Sequence, residues 1–266
     1  MQLSLAEILV LAVVQGVTEF LPVSSDGHLV VVSHWMQEHG KKPPDIGDVI
    51  IVLHVGTLFS ILVFYHERIW RLLTTERRVL VMLVLATIPA VIVGLPVKKF
   101  CDQILENVWL AGAMFPVTGA ALLYLSYKPT GNVEYPRMTM GQAVWIGISQ
   151  AAAILPGLSR SGSTIATGVG VGLTRSSAAA FSFLMAIPVI AGAGLLEAID
   201  VWQEGKLSTP ISHMLIGAAV SFIVGLGALW CLNRWLERGR LQIFAWYCIL
   251  LGIAVLAWQS WELYRA

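Results

Sequence analysis

Charge is what this chain has least of. Of its 266 residues only 12% are Asp, Glu, Lys or Arg, against 57% hydrophobic, and the mean hydropathy is +0.76. That is too little polar surface to cover a water-soluble globule of this length, so the sequence reads as an integral membrane protein. Cysteine is scarce too. Cys101, Cys231 and Cys248 are odd in number and lack CxxC or Cys/His spacing, which removes a disulfide framework and a zinc site and leaves small buried hydrophobes. A net charge of +1 gives no reason for nucleic-acid binding. There is no Walker motif, no dinucleotide glycine fingerprint and no HExxH. The N-terminal segment MQLSLAEILVLAVVQGVTEF has no basic n-region and runs straight into polar sequence, so it is expected to belong to the mature fold.

What is present is a set of long apolar runs rich in Leu, Ala, Val and Gly, without the strict alternation of a membrane barrel. Helices are therefore expected to do the spanning, at about 48–66, 79–97, 108–127, 177–199, 211–232 and 243–264. Two further stretches break this pattern. Residues 4–19 and 140–154 are apolar but short, each is stopped by Pro and small polar residues, and each is followed by another short run (27–36 and 162–173). A short helix, a turn and a second short helix fit a re-entrant hairpin, whose irregular backbone is tolerated only where protein or a watery cavity receives its polar groups.

The two hairpins align with each other. Gln15–Leu29 and Gln150–Thr164 superimpose without a gap at an offset of 135, matching Gln15 with Gln150, Ser24 with Ser159 and Gly27 with Gly162. Each half thus reads as one hairpin plus three spans, giving repeats at about 1–127 and 137–266. Three is odd, so the halves are expected to be inverted, with hairpin tips meeting near the midplane of a single polytopic domain. Positive charge orients the arrangement. Arg68, Arg71, Arg77, Arg78, Lys128, Arg137, Arg175, Arg234, Arg238 and Arg240 fall on one side, and Lys41, Lys42, Lys98, Lys99, Lys206 and Arg265 on the other. Ten against six makes the first side cytoplasmic and turns the mouth of the first hairpin outward. The Trp residues near span ends, among them Trp35, Trp70, Trp109, Trp202, Trp235 and Trp261, fit an aromatic belt.

Polar chemistry is concentrated in the hairpins. Gln15 and Glu19 share a helix face, with Glu19 at the negative end of the helix dipole, so its carboxylate needs a cation, an Arg or a proton. Ser24, Ser25, Asp26, Gly27 and His28 open the second short helix, where free backbone N–H groups suit a phosphate, though ordinary N-capping would also use them. His28 lies within a turn of both serines and completes a set able to activate a hydroxyl or protonate a leaving oxygen. The second hairpin offers Gly157, Ser159, Arg160, Ser161, Gly162 and Thr164: close backbone approach, hydroxyl donors and a guanidinium fork for phosphate oxygens. A structural Glu19–Arg160 ion pair is the plainer alternative, but it does not require the surrounding Ser, Thr and Gly. His54 and Thr57, one turn apart in the first span, rate lower: they are placed to line the cavity, but a satisfied intramembrane hydrogen bond is the favoured reading. Glu7, Glu197 and Asp200 read as boundary residues.

At these residues the chain resembles the bacterial undecaprenyl diphosphate phosphatase family, the bacitracin-resistance proteins. QGVTEFLPVSSDGHL is similar to its (E/Q)xxxE and SSxGH segments, and PGLSRSGST at 156–164 to its PGxSRSxxT signature; the likeness extends over essentially the whole chain. The resemblance implies hydrolysis of undecaprenyl diphosphate to the monophosphate carrier of cell-wall glycans, bacitracin resistance, and residence in the bacterial inner membrane. It implies a site of Gln15, Glu19, Ser25, His28, Ser159, Arg160, Ser161 and Thr164, and a divalent cation, Mg²⁺ or Ca²⁺; with so few acidic groups at hand, that ion is expected to be held mainly by the diphosphate, with Glu19 the candidate protein ligand. Many members carry Glu where this chain has Gln15, and Thr where it has Asp26. Ser25 is the expected nucleophile, with direct attack by water as the alternative; Glu19 is expected as base or as metal ligand, His28 as acid or base, and Arg160, Ser24, Gly157 and Gly162 as the cradle of the phosphates. The expected partners are a polyprenyl diphosphate and membrane lipids, and a homo-oligomer is compatible with this reading. The rival reading is an inverted-repeat transporter or flippase that binds the same anion without cutting it.

Overall fold

The computed structural model describes residues 3–38, 47–204, 209–239 and 241–265, and these are almost wholly helical. Lys41, Lys42, Lys206 and Arg240 of the charge count lie outside the described residues, as do the side chains of Glu197, Asp200 and Trp202.

The first half opens with α1 (Leu5–Phe20), started by a capping box in which Ser4 and Glu7 satisfy each other's backbone N–H groups. Pro22 cannot continue a helix, and after a turn the chain re-enters helix as α2 (Ser25–Glu38). Three longer apolar helices follow: α3 (Gly47–Phe64), α5 (Arg77–Phe100) and α6 (Val108–Tyr127), with the short α4 (His66–Thr74) between the first two. The second half repeats the order, with α7 (Met140–Ala152), capped by Thr139 and Gln142, then α8 (Arg160–Gly170), α9 (Arg175–Glu204), α10 (Ile211–Glu237) and α11 (Gln242–Arg265).

Five helices, α5, α6, α9, α10 and α11, are long and apolar enough to cross a bilayer, and α3 with α4 makes a sixth if that bent pair counts as one span. The sequence pattern expected a straight run over 48–66. Instead the axis turns by 71° at Tyr65. The reason is local: from His66 on, Glu67, Arg68 and Arg71 alternate with Ile69 and Leu72, an amphipathic pattern whose apolar side packs on the core while its charges stay out of it. Arg68 lies over the rings of Tyr65 and Tyr135 at 5.7 and 5.5 Å.

Packing crosses between the halves. The short helix α1 lies along α10, and its counterpart α7 lies along α5; α6 pairs with α11, and α3 with both α10 and α9. The α5–α7 contact is close enough that a Cβ on Gly147 would stand 2.4 Å from the carbonyl oxygen of Ala86, so only glycine fits there. The main core gathers around Phe20, Phe181, Phe183, Leu122 and Leu125, all fully buried, and a smaller one around Ile8, Leu11, Leu53 and Met214. Large apolar side chains such as Ile92, Leu215, Ile223 and Trp246 face outward, as lipid solvation allows. The segment joining the halves is pinned from both sides. Arg78 donates to the carbonyls of Pro136 and Met138 at 3.1 and 2.8 Å, the Tyr135 hydroxyl donates to Glu76 at 3.0 Å, and Glu134 accepts from Ser177 and Thr174.

Candidate active site at the meeting of two helical turns

The turns that follow α1 and α7 come together inside the protein. In the first, the Val23 N–H reaches the Leu21 carbonyl at 2.7 Å and Ser24 takes a left-handed conformation with φ 69°, the only non-glycine residue among the described ones to do so. In a residue with a Cβ this costs about 1–2 kcal/mol, so something must hold it. The Ser24 Oγ supplies part of the hold, accepting from the N–H groups of Gly27 (3.3 Å) and of Gly157 in the opposite turn (3.1 Å). Gly157 itself has φ 86°, and the backbones touch so closely that a Cβ on Gly27 would stand 2.7 Å from Gly157 Cα and N. A second tie runs from Ser161 Oγ to the Leu21 carbonyl at 3.4 Å.

These ties bring Glu19 to the centre. Its carboxylate is 4% exposed, yet both oxygens are engaged: Oε1 accepts from Arg160 Nη2 at 2.7 Å, and Oε2 from Ser25 Oγ at 2.8 Å and Gln15 Nε2 at 3.1 Å. A carboxylate so buried is stable as an anion only with donors and a cation of this kind around it. His54, from α3, is the fourth neighbour. Its Nε2 lies 3.5 Å from Glu19 Oε2 and 3.7 Å from Asp26 Oδ1, while its Nδ1 sits 2.9 Å from the Ile50 carbonyl. A carbonyl only accepts, so Nδ1 carries a proton; a second proton on Nε2 would give the two carboxylates a donor, whereas the bare nitrogen would turn its lone pair toward two acceptors. Asp26 stands at the open rim, 61% exposed.

The second turn builds a hydroxyl cradle on α8. Ser159 is its N-cap, accepting from the Gly162 N–H at 3.1 Å, and its own N–H rests on Thr118 Oγ1 at 2.8 Å; Thr118 in turn donates to the Gly157 carbonyl at 2.8 Å. Thr164 donates back to the Arg160 carbonyl at 2.7 Å and meets Ser182 Oγ at 2.6 Å. Arg160 Nη1 approaches the Ser182 carbonyl at 3.5 Å.

The structure thus gathers Gln15, Ser25 and Arg160 on the Glu19 carboxylate, while Ser24, Gly157 and Ser161 tie the two turns together beside it. Ser159, Gly162 and Thr164 lie at the same turn, with the hydroxyls of Ser159 and Thr164 bonded within the protein. His28 is turned elsewhere, its nitrogens on the Ser24 carbonyl (2.6 Å) and the Tyr247 hydroxyl (2.7 Å). Three contributors carried little signal in the sequence. Thr118, Ser182 and Tyr247 sit singly in apolar spans, and only folding brings them to the turns. His54 had one cue, a titratable residue at membrane depth.

The donor set also bears on a cation. Among the described residues no group of three His, Cys, Asp or Glu side chains is placed to hold a metal ion. With Glu19 already engaged and Asp26 the one exposed carboxylate beside it, the residues fit a cation held mainly by a phosphate ligand and touched by one protein carboxylate.

Fold and site together define a multi-pass helical membrane protein in which a buried carboxylate, a guanidinium and several hydroxyls meet where two helical turns come together. Residues 8–254 match the family model described as "Bacitracin resistance protein BacA", and the chain belongs to that family. The Rhodopirellula baltica protein named undecaprenyl-diphosphatase is 46% identical over 252 residues, 94% of this chain and 96% of that one. Proteins of the same name from Desulfosudis oleivorans and Methanosphaera stadtmanae are 39% and 34% identical, each alignment covering over nine-tenths of both chains.

Proposed function

We propose that this protein hydrolyses undecaprenyl diphosphate to undecaprenyl phosphate and inorganic phosphate. The observation that carries the reading is the Glu19 carboxylate held between Arg160 of one turn and Ser25 of the other. The Ser25 hydroxyl already donates to a carboxylate oxygen, the arrangement of a nucleophile with its base in place. Ser25 Oγ attacks the terminal phosphorus and its proton passes to Glu19. The bond from that phosphorus to the bridging oxygen breaks, and the lipid monophosphate leaves with the electron pair. Water then cleaves the phosphoserine, releasing phosphate, and the Ser25 hydroxyl regains its proton. Arg160 and the N–H groups at the starts of α2 and α8 stabilise the equatorial oxygens. His54, between Glu19 and Asp26, is the group best placed to carry protons through the second step. Mg²⁺ or Ca²⁺ would be held chiefly by the diphosphate, with Asp26 or Glu19 contributing one carboxylate, and would neutralise charge on the phosphate oxygens.

We read the two short-helix pairs as re-entrant hairpins of inverted repeats. The exchange of partners, α1 on α10 and α7 on α5, supports this, because it is the crosswise packing a two-fold relation between halves generates. The charge count supports a site opening on the outer side of the bacterial inner membrane, where hydrolysis would recycle the carrier for peptidoglycan synthesis and lower sensitivity to bacitracin. The test is phosphate release by the purified protein in detergent from the lipid diphosphate. Arg160→Ala and Ser25→Ala should reduce release sharply. Binding of the lipid without release, across a range of divalent cation concentrations, would contradict the reading.

A further inference from the structure

Tyr247 stands in the apolar helix α11, 219 positions from His28, and its hydroxyl lies 2.7 Å from the His28 Nε2. The two rings are parallel to within 5°, with centroids 5.7 Å apart, and Phe115 closes on the imidazole edge-on at 5.2 Å. The other ring nitrogen faces the Ser24 carbonyl at 2.6 Å, which can only accept, so Nδ1 is the protonated nitrogen. In the neutral ring Nε2 is then bare, and the Tyr247 hydroxyl donates to it. Both nitrogens are occupied.

The imidazole therefore acts on the backbone. Ser24 is held in its left-handed turn by the His28 ring and the His28 N–H, both on its carbonyl, and by the N–H groups of Gly27 and Gly157 on its hydroxyl. Ser25 is the next residue, and from that turn its Oγ donates to Glu19 at 2.8 Å. A run of contacts thus extends from α11 in one half, through Tyr247 and His28, to the hydroxyl that attacks in the other.

We propose that Tyr247 is a positioning residue for phosphoryl transfer, fixing His28 so that the Ser24 turn keeps Ser25 aimed at Glu19. This rests on the hydrolase reading above. Small displacements of a nucleophile lower the rate of chemistry far more than they weaken substrate binding, since geometry is what brings the reacting atoms to attack distance. The effect of Tyr247 is accordingly expected in kcat.

The experiment is steady-state phosphate release from undecaprenyl diphosphate by the wild-type protein, Y247F, H28N, H28A and the double variant H28N/Y247F, with melting temperatures measured alongside. Y247F keeps the ring stack and removes one oxygen. It should lower kcat about tenfold and leave KM within about twofold, with an unchanged melting temperature. Asn at position 28 can still donate to the Ser24 carbonyl, so H28N should retain more activity than H28A, and Y247F should add nothing on the H28N background. Wild-type kcat in Y247F overturns the proposal. So does H28N as inactive as H28A, since His28 would then be needed for its proton, and so does an undiminished Y247F effect in the double variant. If the wild-type protein releases no phosphate, the hydrolase reading itself fails, an outcome distinct from these.

Discussion

Glu19 and Arg160, 141 positions apart in the chain, meet at 2.7 Å with the carboxylate 4% and the guanidinium 17% exposed. The pair joins the two helical turns at the point where Ser25 and Gln15 also arrive. It ties the two turns together, and in the proposed mechanism it also holds the base in place. The two roles can be separated by substitution.

Removing one partner strands the other. Glu19→Ala leaves Arg160 buried without its counter-charge and should cost about 3–5 kcal/mol of stability. Glu19→Gln keeps the shape and accepts a hydrogen bond through its amide oxygen, so it should fold far better while losing the base. The check is melting temperature and phosphate release measured on both variants. Glu19→Gln should be well folded and at least about a hundredfold slower.

Arg160→Lys keeps the positive charge but loses the planar fork. Release should fall by about tenfold to a hundredfold, less than in Arg160→Ala. Equal loss in Lys and Ala variants would point to the fork as the feature that matters.

Gly157→Ala tests the closeness of the two turns. The new Cβ would stand 2.2 Å from the Ala111 carbonyl oxygen on a backbone with φ 86°. It should lower the melting temperature and abolish release together, in contrast to Glu19→Gln, which should separate them.

How much of this was legible beforehand follows from where the polar residues lie. Glu19, Ser25 and Arg160 sit in two short stretches that share one pattern of Pro, Gly and Ser, and apolar neighbours make such stretches conspicuous. The long helices were equally readable from unbroken apolar runs, except at Tyr65, where the bend comes from the amphipathic pattern of α4, which a span-length window averages away. Thr118, Ser182, Tyr247 and the pairing of His54 with Asp26 were not readable, because a lone hydroxyl or imidazole in a span carries no period and its partner is distant in sequence. The turn of His28 away from Glu19 was equally hidden: spacing on a helix gives the face of a side chain, and the rotamer depends on neighbours such as Tyr247 and Phe115.

Chelation tests the cation. EDTA should abolish release, and Mg²⁺ or Ca²⁺ should restore it. Asp26→Asn should raise the cation concentration needed for half-maximal activity, with the folded protein otherwise unchanged, since that side chain is 61% exposed.

Orientation is testable on the native chain. Against the expectation of buried cysteines, Cys101 is exposed, beside Lys98 and Lys99 on the side read as outward, whereas Cys248 is buried and Cys231 lies half-buried within α10. A membrane-impermeant maleimide should label Cys101 in spheroplasts from outside. Labelling only after the membrane is opened would reverse the assignment.

The central claim is that the two turns form one hydrolytic site with Ser25 as its nucleophile. It is tested most directly by acid-quenched single turnovers on undecaprenyl diphosphate radiolabelled in its terminal phosphate. The label should pass transiently to the peptide containing Ser25 before appearing as inorganic phosphate, and Ser25→Ala should show neither. Label released only as free phosphate at every time, with Ser25→Ala turning over at the wild-type rate, would contradict the account.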